Sequence, residues 1–125
     1  MRAVGAALLV VLVGSLVGCH PEPRVVVGAK NFTEQRLLGE LLAQTVEAMG
    51  LRAERRLDLG GTFVCDAALR AGQIDLYVEY TGTALTAILH EAPLADPAAA
   101  LARVRAAYAA AGLRWSAPLG FDNSF

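Results

Sequence analysis

Two histidines and two cysteines are all that this 125-residue chain offers of the usual soft metal ligands. His20 and His90 have no partners at ligand spacing, so no metal site is expected. The basic residues form no run and are not interleaved with aromatics. With 11 Lys and Arg against 12 Asp and Glu, the net charge is −1 and the pI is about 6.1. That balance argues against nucleic acid as a partner. No G-x-G-x-x-G follows the first apolar segment, which removes the dinucleotide-binding fingerprint. No repeat or low-complexity linker divides the chain, apart from one alanine-rich helix. What it has in excess is apolar: 55% of residues, against 18% charged. That is enough for a packed core and argues against disorder. The length admits one ordinary domain or part of a larger one.

Part of the apolar excess sits in MRAVGAALLVVLVGSLVGC at the start. One basic residue, Arg2, precedes an apolar core from Ala3 to Val13, and small residues follow. The segment is too short and too close to the terminus for an ordinary spanning helix and reads as an export signal. Leu16-Val17-Gly18-Cys19 resembles the lipobox of bacterial lipoproteins. That resemblance implies a signal peptide over 1–18, a diacylglycerol on Cys19 and a tether over 19–23. The protein would then be lipid-anchored in the cell envelope outside the cytoplasm, facing a periplasm or lying on the outer face of the plasma membrane. A plain secretory signal with an incidental cysteine is the alternative. If Cys19 carries lipid, Cys65 is the only thiol left and no internal disulfide can form.

Beyond the tether, Arg24-Val25-Val26-Val27-Gly28 reads as a strand buried on both faces. Asn31 with Glu34 three residues on resembles a capping box. Leu37, Leu38, Leu41, Leu42, Val46 and Met49 then form an apolar helical stripe, ended by Gly50. Leu51–Leu59 alternates as a second strand, and Gly60-Gly61 turns. Thr62 opens a helix that Gly72 closes. Ile74–Tyr80 reads as a third strand and Thr83–His90 as a short helix. Asp96-Pro97 starts a helix that runs to about Ala111. Leu113-Arg114-Trp115 reads as a fourth short strand. Strands alternating with helices predict an α/β layered sheet.

In such sheets ligands sit outside the carboxyl ends of the strands. Three loops have that position: Gly28-Ala29-Lys30-Asn31, Gly60-Gly61-Thr62 and Tyr80-Thr81-Gly82-Thr83. Each opens a helix whose free N–H groups favour an anion. Lys30 reads either as a solvated loop lysine or as a cation of the site. The ring of Tyr80 attracts a cation, most strongly one without tightly held water. A solute with a carboxylate at one end and a quaternary ammonium at the other suits both. Tyr77 lies on the opposite strand face and reads as core. Glu79 points to the Tyr77 side and reads as a structural partner or a contact. A catalytic reading would pair Cys65 with His90 and take Asp75 or Glu79 as orienting acid. No spacing supports it, and Cys65 lies in an apolar helix, so no enzyme is expected.

VGAKNFTEQRLLGELLAQ, RLDLGGTFVCDAALRAGQIDLYVEYTGTAL and PLGFDNSF together resemble the substrate-binding proteins of osmoprotectant ABC importers. The resemblance covers nearly all of the chain after the tether. It implies a two-lobed, hinge-closing fold of the periplasmic-binding-protein type (type II). Glycine betaine, choline or carnitine would lie in the cleft with the ammonium in a tyrosine cage. No cofactor is implied; the implied partners are a membrane permease and an ATPase. By position, Lys30 lies near the ligand's polar end, Tyr80 is a cage tyrosine and Thr83 is its hydrogen-bonding neighbour. Asn123 supplies a polar contact. The second cage aromatic is Phe125, where the family pattern has tyrosine; a phenyl face still attracts a cation but lacks the hydroxyl. Asn31, Gly61 and Thr62 are secondary candidates. Residues 24–121 are then an incomplete lobe one, and 122–125 begin the hinge to a second lobe. The expectation is a truncated product or a partial sequence. Two alternatives stand beside this: a binding lipoprotein for an amino acid or polyamine, and a lipoprotein that binds nothing.

Overall fold

The computed structural model describes residues 23–123. The leader over 1–18, Cys19 and Phe125 lie outside the described residues. The valine run forms β1, Arg24–Gly28, because β-branched side chains suit an extended, pleated backbone. A 16-residue helix, α1, Thr33–Ala48, leads from it to β2, Arg52–Arg56. β1 and β2 pair in parallel, with Val26 opposite Glu54 and Gly28 opposite Arg56. Parallel pairing requires such a crossover, and α1 supplies it.

The buried face of α1 only partly coincides with the expected stripe: Val46 is in the core and Leu42 packs against it, but the most buried positions lie to one side of the leucines. Gln35, Gly39, Ala43 and Val46 face inward, while Leu37, Leu41 and Met49 are exposed at 61%, 51% and 71%. Small residues let the helix settle closely onto the strands. A Cβ on Gly39 would come within 2.7 Å of the Leu57 side chain and 2.9 Å of the Ala29 Cβ. Nor does Asn31 cap this helix. The N-cap is Phe32, without a side-chain cap, and the Glu34 carboxylate is engaged elsewhere.

The expected third strand is reduced to one parallel bridge, Val27 with Leu76, on the free side of β1. Gly28 N–H donates to the Leu76 carbonyl at 2.8 Å. One register step back, Val26 N–H donates to the Asp75 carboxylate at 2.6 Å. A side chain has taken the donor that a continuing ladder would use. β1 is therefore the centre of the small sheet, flanked by β2 and this bridge.

Helix α2, Thr62–Arg70, begins at the threonine expected to open it. A single turn, α3, Thr81–Thr83, runs straight into a π-helical turn, Ala84–Ile88. α4, Pro97–Ala110, starts as its sequence dictates. The Asp96 carboxylate accepts from Ala98 N–H at 3.1 Å and Ala99 N–H at 3.3 Å, with Pro97 in the first turn. Gly112, at φ +74°, reverses the chain, and Leu113 N–H returns to the Tyr108 carbonyl. The fourth strand does not form. Leu113 and Trp115 instead pack against α4, with Trp115 edge-on to Tyr108 at 5.5 Å.

Among the described residues, two apolar cores result. One joins Val27, Ala43 and Val46 beneath α1. The other joins Ala84, Leu85, Ala100, Val104 and Tyr108 between the π-helical turn and α4. The Asp66 carboxylate ties α2 to this second core, accepting from the Tyr108 hydroxyl at 3.1 Å and from Arg70 at 2.7 Å. Among the described residues, no helix is long and apolar enough to cross a membrane.

Candidate functional site

The three loops predicted to meet do meet, at the carboxyl end of the parallel strands. Backbone bonds join the first two. Leu59 N–H donates to the Ala29 carbonyl at 3.0 Å and Asn31 N–H to the Gly60 carbonyl at 3.0 Å. A side-chain ion pair joins the first to the third, between Lys30 and Glu79.

Lys30, the only lysine in the sequence, is not a solvated loop residue. It is 3% exposed, and its Glu79 partner's side chain is 5% exposed. An unpaired buried ammonium would carry a large desolvation penalty, which the carboxylate offsets. Glu79 also accepts the Tyr80 N–H and the Tyr77 hydroxyl, each at 2.9 Å. One carboxylate therefore holds three donors from two loops. Burial, then the charge of Glu79, pushes the Tyr77 phenol well above its usual range. Of the two readings open for Glu79, the structural one describes these contacts.

The ammonium of Lys30 also lies 5.1 Å from the centroid of the Tyr80 ring, within cation–π range. Phe32 stacks on the same ring at 6.4 Å and 21° between planes, and is itself 41% exposed. The Tyr80 hydroxyl donates to Glu34. Asn123 Nδ2 donates to the same Glu34 oxygen at 3.1 Å. Burial, followed by the Glu34 hydrogen bond, raises the Tyr80 phenol above its ordinary value, while the amides of Gln35 and Asn123 act the other way. Gln35 is fully buried; its Oε1 accepts Lys30 N–H at 3.4 Å. Among the described residues, its Nε2 has no hydrogen-bond partner.

Of the sequence-predicted residues, Lys30, Tyr80 and Asn123 thus share one cluster. Thr83 is half-buried in α3, one turn past Tyr80. Gly61 and Thr62 open α2, and exposed Asn31 sits beside them through its bond to Gly60. Phe32, Glu34 and Gln35 were missed as site residues. A signal for Gln35 existed: it begins the small-residue face of α1 at the spacing of Gly39 and Ala43, so a polar side chain there must be buried. The acids offered as catalytic orienters are occupied, Asp75 by Val26 N–H and Glu79 by its three donors. The Cys65 thiol is buried, and burial raises its pKa, the opposite of an activated nucleophile. Among the described residues, no three His, Cys, Asp or Glu side chains gather as metal ligands.

The cluster is thus an aromatic ring at the strand ends, ringed by polar side chains and fixed by a buried ion pair. The chain belongs to the family described as the substrate binding domain of the ABC-type glycine betaine transport system, whose model matches residues 23–125. This is a family of transport binding domains, not of enzymes. The chain is 37% identical over 99 residues to a glycine-betaine-binding protein of Pseudomonas aeruginosa, covering 79% of this chain and 32% of that protein. It is 34% identical over 105 residues to an ergothioneine transport permease/ergothioneine binding protein, EgtU, of Helicobacter pylori, covering 83% of this chain and 19% of the relative. Among solved structures it resembles apo YehZ from Escherichia coli, with TM-score 0.64 and 30% identity over 70% of this chain and 32% of that one. The fold also matches the crystal structure of a glycine betaine/carnitine/choline ABC transporter, with TM-score 0.58 and 24% identity over 70% of this chain and 33% of that one. The chain thus spans about a third or less of the proteins it matches, and its α/β architecture is part of a substrate-binding-protein lobe.

Proposed function

We propose that this chain forms one wall of a quaternary-ammonium site in the binding component of an ABC importer, with glycine betaine or choline as solute. The carrying observation is the Tyr80 ring, held at the strand ends by Glu79 and flanked by half-exposed Phe32. A trimethylammonium group is poorly hydrated, so an aromatic face recovers much of what little solvation it loses. Thr83 and Asn123 supply polar contacts, Phe125 a further aromatic face, and Asn31, Gly61 and Thr62 the helix-opening rim. Lys30 acts here through Tyr80, because its own charge is matched by Glu79. The site binds and releases without chemistry. In this reading residues 1–18 are an export signal and Cys19 carries the lipid that anchors the protein outside the cytoplasm. Residues 24–121 belong to lobe one and 122–125 begin the hinge. A permease and an ATPase complete the importer.

Calorimetric titration of the native protein with glycine betaine, choline and arginine tests this. Binding of at least one quaternary amine is expected. Binding of arginine with failure of both quaternary amines would sink the cage. Ergothioneine belongs in the same series, because one relative is named for it.

A further inference from the structure

The Tyr80 ring already faces a cation. The Lys30 ammonium lies 5.1 Å from its centroid, and Lys30 is 3% exposed, so little water screens it. A solute ammonium in cation–π contact with the same ring lies within about 6 Å of that centroid. The two positive charges are then no more than about 11 Å apart. At the effective dielectric of a protein interior, that repulsion weakens cation binding about tenfold unless something opposes it. Glu79 opposes it. Its carboxylate is in contact with the Lys30 ammonium, and the Tyr77 hydroxyl and the Tyr80 N–H, each donating at 2.9 Å, hold it there. Two opposite charges in contact act on the solute as a weak dipole rather than as a charge.

We infer that Glu79 sets this site's preference for a cation: by cancelling the charge of Lys30, it lets the Tyr80 ring attract the solute's ammonium. The inference rests on the quaternary-ammonium reading above and goes beyond the fixing of the ring by Glu79. Glu79 is in this sense a positioning residue, acting through Lys30 and Tyr80 rather than by touching the solute. Removing either partner of the pair uncovers the charge of the other. The two removals therefore act on a bound cation in opposite directions. A pair that only holds the loops together would weaken binding in both.

The test is low-salt calorimetric titration with glycine betaine and with tert-butylacetate, its isostere with carbon in place of the ammonium nitrogen. Both carry the same carboxylate, so contacts of the polar end cancel in the ratio of affinities, which reads the ammonium alone. Choline and its own tert-butyl isostere give the same ratio if choline is the solute, and a weak isostere is read by displacement. In Glu79→Gln, at about pH 6 to keep Lys30 protonated, the ratio should fall about tenfold. In Lys30→Met, at about pH 8 to keep Glu79 ionised, it should rise. Lys30→Met leaves Glu79 its other two donors and carries the test if Glu79→Gln does not fold. The native protein at each pH is the reference. Ratios that move the same way in both variants, or that stay within about twofold of native, overturn the inference and leave the quaternary-ammonium reading standing. Binding of neither betaine nor choline by the native protein contradicts that reading and removes the inference with it.

Discussion

Two ionic clusters in this molecule look alike on paper and differ in what they hold. Beside α1, Arg55 reaches Glu40 at 2.8 Å and Glu47 at 2.6 Å through four hydrogen bonds. At the strand ends, Lys30 meets Glu79 with a simpler head group. By count of charged contacts the arginine cluster is the richer. Its side chains, however, are 33–43% exposed, and water and salt already solvate and screen these charges. The Lys30–Glu79 side chains are 3% and 5% exposed, so each depends on the other and on the surrounding donors. Exposure, not the number of contacts, decides which cluster fixes the fold around the site.

The largest expected effect follows from breaking the inner cluster on one side. Glu79→Ala leaves the Lys30 ammonium buried without its partner and the Tyr77 hydroxyl without its acceptor. A loss of about 3–5 kcal/mol is expected in urea denaturation. A loss below about 1 kcal/mol would place the inner pair with ordinary surface pairs. Tyr108→Phe probes an intermediate case, since Asp66 is 9% exposed but keeps Arg70 as a partner. It should cost about 1 kcal/mol, the net worth of an intramolecular hydrogen bond whose acceptor keeps another donor. Arg55→Ala should give the smallest shift of the three in the same assay.

The outer cluster still has a clear titration signature. Arg55 holds the Glu40 carboxyl down from 4.5 to about 2, with help from Gln44. The lowered value means that this pair favours the folded chain fully above about pH 4.5 and loses its contribution as pH falls through about 2. Carbon-detected NMR titration of the Glu40 carboxyl should show the low midpoint, and Arg55→Ala should return it toward 4.5. An unmoved midpoint would contradict the assignment to Arg55.

The same contrast explains what could be read from the residues alone. The start of α4 was legible because Asp96 and Pro97 act on their own neighbours. The meeting of the three loops was legible because parallel strands bring their carboxyl ends to one edge. The Lys30–Glu79 pair was not, since 49 residues separate its partners and nothing local distinguishes a paired lysine from a solvated one. The third strand was misjudged because its apolar pattern does not reveal that Asp75 caps Val26 N–H. The face of α1 was legible at Val46 and partly at Leu42, but misjudged at Leu37, Leu41 and Met49, because hydrophobicity favoured them, whereas close approach to the strands selected Gly39 and Ala43. Glu34 was given to helix capping by its spacing, and the tertiary fold gave it to Tyr80 and Asn123.

The central claim is that the Tyr80 ring is a wall of the solute site. Its most direct test compares glycine betaine and choline binding to the native protein and to Tyr80→Ala by calorimetry, with folding checked by circular dichroism. The account predicts at least about a tenfold loss of affinity in a folded variant for a solute that the native protein binds, as removal of a desolvated cation–π contact requires. Equal affinity in the two proteins would contradict it.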